Sequence, residues 1–321
     1  MTHDQITFVG AGAFRKFDLE RVDIEPGRRL RAHIARFWSQ PFLDARAKYD
    51  DFISATPAAA GVTFRESHSE PAPGWWCDPS CPMSDSVIIF IHGGGYGLGS
   101  AKAYRNFASQ IALQTNVSVF VLEYPLAPEA VLPEALNLAV RTISHLRRRY
   151  KVAVAGDSAG GGLALAATAN LISRGESVAS VMAFSPWVDL TLSGDTMRSM
   201  AIGDISLDPE YLRHSAVQYA GPNPLNHTDG SPLFGIPPHM PPVLIQVGTD
   251  EVLLDDAIRY AKMASRVGND VVLEIWEGMH HVFQLNIAEL AMARHALSRA
   301  SEFLASHLVT SSPSYSKQME G

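Results

Sequence analysis

Residues 152–163, which read VAVAGDSAGGGL, decide the fold. The apolar run Val152 to Ala155 has the pattern of a buried strand, and the chain turns at small residues before a helical run that begins at Leu163. A strand, a sharp turn and a helix in this order are the setting in which Gly-x-Ser-x-Gly projects a serine hydroxyl from the end of a sheet. Glycines allow the tight turn, and the helix N-terminus favours negative charge nearby. The sequence therefore predicts Ser158 as a nucleophile.

The alternation of strand and helix continues on both sides of this turn. Strands are predicted at Val87–Ile91, Val117–Leu122, Val152–Ala155, Val181–Phe184, Val243–Val247 and Val271–Trp276. Helical spacing of apolar residues is found at Tyr104–Gln114, Pro133–Arg149, Ser158–Ser173, Asp255–Val267 and Ile287–His307. This order predicts an α/β protein with a mostly parallel central sheet and helices on both faces.

Two segments break the alternation and are predicted to form a cap over one end of the sheet. They are residues 1–55, which include a helix-like stretch, and residues 187–240, which are rich in Asp, Pro and Gly. The catalytic body is then predicted at residues 56–186 and 241–308. The Ser-rich residues 309–321 have the composition of a flexible tail.

Composition excludes several classes of function. The chain has 321 residues, 46% of them hydrophobic and 18% charged, which describes an ordinary globular protein. With 26 Lys and Arg against 33 Asp and Glu, the net charge is −7, so nucleic acid is not an expected partner. No stretch is predicted to span a membrane or to act as a signal peptide, and we expect a cytoplasmic protein. For the two cysteines, Cys77 and Cys81, two free thiols are favoured over a local disulfide. No metal site is predicted.

A second motif, His92-Gly93-Gly94-Gly95-Tyr96, follows the strand at residues 87–91. Consecutive glycines cost conformational entropy, but they let backbone N–H groups approach a substrate oxygen without a Cβ in the way. We predict that the N–H groups of Gly93, Gly94 and Ala159 form an oxyanion hole, and that His92 organises the loop.

A serine nucleophile of this kind needs an acid and then a histidine later in the chain. The strand at residues 243–247 is followed by GTDEVLLDD, in which Asp250 lies in the loop, whereas Asp255 and Asp256 have the positions of first-turn helix residues. Asp250 is therefore predicted as the acid. After the strand at 271–276 come His280 and His281, which these arguments do not separate.

Six motifs together resemble the hormone-sensitive-lipase-like esterases, bacterial family IV, over about residues 70–305. They are HGGG, YPLAPE at 124–129, GDSAGG, SPWVDL at 185–190, GTDEVLLDD and HHVF. The resemblance implies the α/β-hydrolase fold, carboxylesterase activity without metal or organic cofactor, and His281 as the catalytic histidine, because it precedes a small residue and Phe. Dimers are common among similar proteins, so a homodimer is an expectation. The sequence departs from the family at Pro125, usually Arg, and at Leu138, often Asp, which predicts that a local charge pair is absent.

The predicted reaction is hydrolysis of short- to medium-chain carboxylic esters through an acyl-enzyme on Ser158, with a small-molecule ester as partner. Lactone hydrolysis or amide deacetylation by the same triad are the alternatives, and a noncatalytic small-molecule receptor is a more distant one. Aromatic and apolar side chains of the cap are candidates for the substrate pocket, against the alternative that they only pack the cap onto the body. They are Phe14, Phe17, Phe37, Trp38, Phe42, Tyr211 and Leu212.

Overall fold

The computed structural model describes residues 12–199 and 204–309. Nine strands form one sheet: β1 Ala13–Phe17, β2 Val62–Ser67, β3 Gly74–Pro79, β4 Ser86–Ile91, β5 Ser118–Leu122, β6 Lys151–Asp157, β7 Val181–Phe184, β8 Val243–Gly248 and β9 Val271–Trp276. The α-helices are α1 Arg21–Ser39, α2 Ala45–Ser54, α3 Ala101–Thr115, α4 Glu134–Arg147, α5 Ser158–Ser173, α6 Pro209–Ala220, α7 Leu254–Arg266 and α8 Ala291–Leu308.

The sheet has the strand order β1-β9-β8-β7-β6-β4-β5-β3-β2. Only the pairings that involve β3 are antiparallel, and all others are parallel. Apolar side chains alternate between the two faces of the sheet and form two large cores, one with α4, α5 and α7 and the other with α3 and α8, while a third, smaller core joins α1 and α8 at the end of β9. The predicted parallel α/β architecture and its six strands are confirmed, since parallel strands buried on both faces read as continuous apolar runs.

The sequence predicted that residues 1–55 form part of the cap, but residues 12–55 do more than that. Strand β1 pairs in parallel with β9, with Ala13 opposite Val272 and Phe17 opposite Trp276. The Phe17 and Trp276 rings stack with their centroids 4.0 Å apart. The first described residues therefore extend the sheet, and the cap begins with α1.

Three cap helices lie over the carboxyl end of the sheet. Helices α1 and α2 come from the N-terminal segment and α6 comes from the insertion at 187–240, and residues of all three line one cavity with Ser158. The predictions for residues 1–11, 200–203 and most of the tail lie outside the described residues. Cys77 is buried and Cys81 is exposed, both as free thiols. Among residues 12–199 and 204–309, no helix is long and apolar enough to cross a membrane.

Candidate active site

Ser158 occupies the sharp turn between β6 and α5, where its backbone has φ +52°. A non-glycine residue in this left-handed region is strained, and such strain persists only where the surroundings impose it. Here the turn is pressed against the end of β4: a Cβ on Gly160 would lie 2.1 Å from the carbonyl oxygen of Ile91. The close packing of the turn on β4 holds the serine hydroxyl above the end of the sheet.

His281 follows β9 and reaches this hydroxyl. Its Nε2 atom lies 3.0 Å from Ser158 Oγ, and its Nδ1 atom lies 2.7 Å from Glu251 Oε2. His280, its neighbour, points elsewhere and pairs its Nε2 atom with Asn286 Oδ1 at 2.9 Å. The structure therefore brings Ser158 and His281 together, and it separates the two adjacent histidines.

The acid next to the histidine differs from the predicted one. Asp250 turns away from the site and forms an ion pair with Arg31 of α1, with Oδ2 2.5 Å from Nη2. Glu251 is fully buried, and its Oε1 atom accepts hydrogen bonds from the Gly248 N–H and the Ser185 hydroxyl, both at 2.7 Å. Two donors on one oxygen leave the other oxygen for His281. Both residues follow β8 in the loop, and periodicity does not tell which carboxylate of an adjacent pair faces inward.

Ser185 is a site residue that sequence reasoning did not single out, although it begins the SPWVDL motif. It is fully buried, with φ +46°. Its hydroxyl donates to Glu251 and accepts a hydrogen bond from the Val282 N–H at 3.1 Å. One side chain thus ties the acid to the residue that follows His281.

The glycine loop, residues 92–100, presents different N–H groups from those predicted. The Gly93 N–H donates to Asp157 Oδ1 at 2.8 Å, so it is not available to a substrate. Gly94 and Gly95 line the cavity beside Ser158. Within residues 12–199 and 204–309, no acceptor is paired with the N–H groups of Gly94, Gly95 or Ala159. The prediction of a free N–H group is therefore wrong for Gly93, whose donor is taken by Asp157.

His92 has the position of a loop organiser. It is fully buried, its ring stacks with those of Tyr104 and Tyr124, and its Nδ1 atom pairs with the Gly93 carbonyl at 2.8 Å. The Tyr124 hydroxyl donates to the His92 carbonyl. Burial lowers the pKa of His92 to about 4, so the ring is neutral at pH 7.

A cavity of about 420 Å³ opens beside Ser158 and His281. Four of the predicted pocket residues line it: Trp38, Phe42, Tyr211 and Leu212. The other three do not. Phe14 and Phe17 belong to β1 at the edge of the sheet, and Phe37 packs against Trp38 and Phe52 behind the wall. Most of the remaining lining is apolar as well, which suits an uncharged organic ligand.

Burial and charge act together on the titratable groups of the site. Burial opposes charging of His281, but Glu251 at its Nδ1 atom outweighs burial, so the pKa of His281 lies above its ordinary value. Burial raises the pKa of Asp157 to about 7, against the opposing effect of its hydrogen bonds from Tyr104 and Gly93. In the part of the chain that the structure describes, no group of three or more His, Cys, Asp or Glu side chains could hold a metal ion.

The sequence and the structure both match known esterases. Residues 88–285 match a family described by its alpha/beta hydrolase fold. An acetyl-hydrolase of Streptomyces hygroscopicus is 36% identical over 71% of this chain and 78% of that protein, and an esterase of Acinetobacter venetianus is 33% identical over 68% and 75%. The crystal structure of an esterase from the bacterial hormone-sensitive lipase family has a TM-score of 0.84 at 31% identity and covers 89% of this chain and 99% of that one.

The chain belongs to the α/β-hydrolase family, in the branch of the bacterial hormone-sensitive-lipase-like esterases. It is a carboxylic ester hydrolase, and the predicted family is confirmed.

Proposed function

We propose that the protein is a serine carboxylesterase for short- to medium-chain esters, with Ser158, His281 and Glu251 as its catalytic triad. The observation that carries the proposal is the unbroken chain from Ser158 Oγ through His281 to Glu251, with distances of 3.0 and 2.7 Å. His281 takes the proton of Ser158 as the hydroxyl attacks the ester carbonyl, and it then protonates the leaving alcohol. Glu251 orients the imidazole and stabilises its charged form.

The proposed oxyanion hole consists of the N–H groups of Gly94, Gly95 and Ala159. These donors are free within the described residues and lie at the wall of the cavity or directly after the nucleophile. They would stabilise the oxyanion of both tetrahedral intermediates, and the loss of one donor of this kind costs roughly 3 to 4 kcal/mol of transition-state stabilisation. Water activated by His281 then hydrolyses the acyl-enzyme and regenerates Ser158.

The size of the cavity supports the proposed range of substrates. At about 420 Å³ it lies toward the lower end of ligand sites, which span roughly 300 to 1,000 Å³. One similar protein is named acetyl-hydrolase, and this name also supports the proposal of short acyl groups.

The proposal is tested by initial hydrolysis rates on p-nitrophenyl esters from acetate to palmitate, with Ser158→Ala as the control. We expect rates that peak at short or medium chains and that fall by orders of magnitude in Ser158→Ala. A burst of p-nitrophenolate equal to the enzyme concentration, released before steady turnover, would support the acyl-enzyme. Wild-type rates in Ser158→Ala would exclude this mechanism, and a maximum at palmitate would exclude the proposed chain length.

A further inference from the structure

We propose that cap helix α2 is a positioning element for the glycine loop, and that Tyr49 is its principal contact. Helix α2 is joined by hydrogen bonds to the start, the middle and the end of residues 92–100. The inference rests on the proposed function, because it assigns a purpose to the geometry of the oxyanion donors. It makes the cap a determinant of the rate of the chemical step, beyond its part in enclosing the substrate.

The contact at the start of the loop is a chain of hydrogen bonds that begins on α2. The Tyr49 hydroxyl lies 2.8 Å from the Tyr104 hydroxyl, which donates to Asp157 Oδ2 at 2.9 Å. Because Tyr104 gives its only proton to the carboxylate, its oxygen accepts the proton of Tyr49. The other oxygen of Asp157 accepts the Gly93 N–H at 2.8 Å. The chain therefore runs from the cap, through the residue before the nucleophile, to the residue before the proposed oxyanion donors.

Close packing makes this chain rigid. A Cβ on Gly93 would lie 2.4 Å from Asp157 Oδ2, so the loop touches the carboxylate that Tyr104 fixes. Both Tyr104 and Asp157 are buried. A buried hydrogen-bonded network of this kind has few alternative arrangements, and removal of one member leaves its neighbour unsatisfied.

Two more side chains of α2 hold the middle and the end of the loop. Arg46 donates from Nε to the Gly97 carbonyl at 3.0 Å, and its guanidinium also pairs with Glu129. Asp50 accepts the hydroxyl proton of Ser100 at 2.7 Å, and Ser100 is the N-cap of α3.

These three attachments predict that loosening α2 displaces the N–H groups of Gly94 and Gly95. Oxyanion donors act on charge that develops in the transition state, so their displacement lowers kcat more than it raises KM. A side chain that served only as a cavity wall would have the opposite effect, because it contacts ground state and transition state alike. Tyr49 also lines the cavity, so the division between kcat and KM is the informative measurement.

The test is Tyr49→Phe, which removes one hydroxyl and keeps the ring. We expect kcat to fall about fivefold to tenfold, as for the loss of one hydrogen bond, with KM within about twofold of wild type. The inhibition constant of a trifluoromethyl ketone, whose hemiketal oxygen occupies the oxyanion hole, should rise by the same factor as kcat falls. Tyr104→Phe and the double variant complete a double-mutant cycle. The double variant should be no slower than Tyr104→Phe alone, since both hydroxyls act through the same chain of hydrogen bonds.

Tyr150→Phe is the matched control, because it removes a phenol hydroxyl at the opposite end of β6 from Ser158. Unchanged kcat in Tyr49→Phe, or a rise in KM alone, would overturn the proposal. Should Tyr49→Phe fail to fold, Arg46→Met provides the independent test through Gly97, and wild-type kcat in that variant would overturn the proposal equally. Retained turnover in Ser158→Ala would instead refute the proposed function itself, so the two failures are distinguishable.

Discussion

Glu251 and Asp250 are adjacent carboxylates that point in opposite directions from the loop after β8. Glu251 is buried against His281, Ser185 and the Gly248 N–H, whereas Asp250 is partly exposed and paired with Arg31. The longer side chain of glutamate spans the distance to the histidine from a position one residue further along. The two residues therefore have separable functions, one in the proposed triad and one in attaching α1 to the body.

Conservative amide variants of these two residues should differ strongly in activity. Glu251→Gln is expected to lower kcat by about 10³- to 10⁴-fold, because an amide no longer stabilises the imidazolium or selects its tautomer. Asp250→Asn should lower kcat by less than about tenfold, since it weakens only a partly exposed ion pair. Steady-state kinetics on p-nitrophenyl butyrate measures both. A larger loss of kcat in Asp250→Asn than in Glu251→Gln would assign the role of the acid to Asp250, as the sequence predicted.

The acidic limb of the pH profile should report His281. Only the neutral imidazole can accept the Ser158 proton, and Glu251 holds the pKa of His281 above the ordinary value of 6.5 in spite of burial. The value of kcat/KM should therefore fall as the pH drops through a midpoint above 6.5. NMR titration of the ring in Ser158→Ala and in Ser158→Ala/Glu251→Gln should show the midpoint move downward in the second protein. A midpoint below 6 in the first would contradict the pairing.

At this scale the turn that carries Ser158 and the loop that carries His281 could be predicted, whereas the carboxylate that faces His281 and the pairing of the Gly93 N–H could not. Ser158 is set by a strand, a turn and a helix that are all local in sequence. The orientations of Glu251 and Gly93 depend on Ser185 and Asp157, which reach them from other strands. Such partners come together only through the strand order of the sheet, and a linear pattern does not contain it.

At the scale of elements, Lys48 of α2 organises the turn between α1 and α2. Its ammonium donates to the Trp38 and Gln40 carbonyls and lies over the ring of Phe42, 4.6 Å from the ring centroid. Trp38 and Phe42 line the cavity, so Lys48 sets the shape of one wall without being part of it. A buried ammonium that is satisfied by carbonyls and aromatic faces is costly to replace.

Lys48→Met, which keeps the aliphatic stem and removes the charge, should loosen this wall. We expect the free energy of unfolding to fall by about 1 to 3 kcal/mol, because two carbonyls lose their donor. The preference among acyl chain lengths should become flatter, measured as the ratio of kcat/KM for p-nitrophenyl hexanoate to that for the acetate. Lys262→Met on α7 is the matched control, and an equal flattening there would contradict the assignment.

Strands β1 to β3 show where element prediction ended. The six predicted strands are β4 to β9, whose apolar runs are buried on both faces and need no knowledge of their partners. Strand β1 reads AFRKF, too short and too charged for its alternation to be recognised, and it becomes a strand because β9 offers an open edge. Strand β3 contains Trp75 and Trp76 between prolines, and it is held as a strand by its antiparallel pairing with β5.

At the scale of the whole molecule, the sheet and the cap meet at β1, which makes Phe17 a test of the architecture. Phe17→Ala should lower the free energy of unfolding by about 2 to 4 kcal/mol, through loss of its stacking on Trp276. KM should stay within about twofold of wild type, because the ring lies outside the cavity. Urea denaturation and steady-state kinetics measure the two quantities.

Phe42→Ala is the complementary variant, since Phe42 is 54% exposed and lines the cavity. It should raise KM and leave the free energy of unfolding nearly unchanged. If Phe17→Ala instead raised KM without loss of stability, the sequence-based assignment of Phe17 to the pocket would be restored.

The pairing of β1 with β9 also constrains the order in which a nascent chain matures. Ala13 pairs with Val272, 259 positions downstream, so β1 stays unpaired until residue 272 has left the ribosome. Long-range parallel pairing of this kind is slow, because a large loop must close before any contact stabilises the pairing. Helices α1 and α2 lie between β1 and β2, and they are tethered at both ends only after that closure. The cap helices that line the cavity beside Ser158 are therefore fully anchored only after β9 has been synthesised.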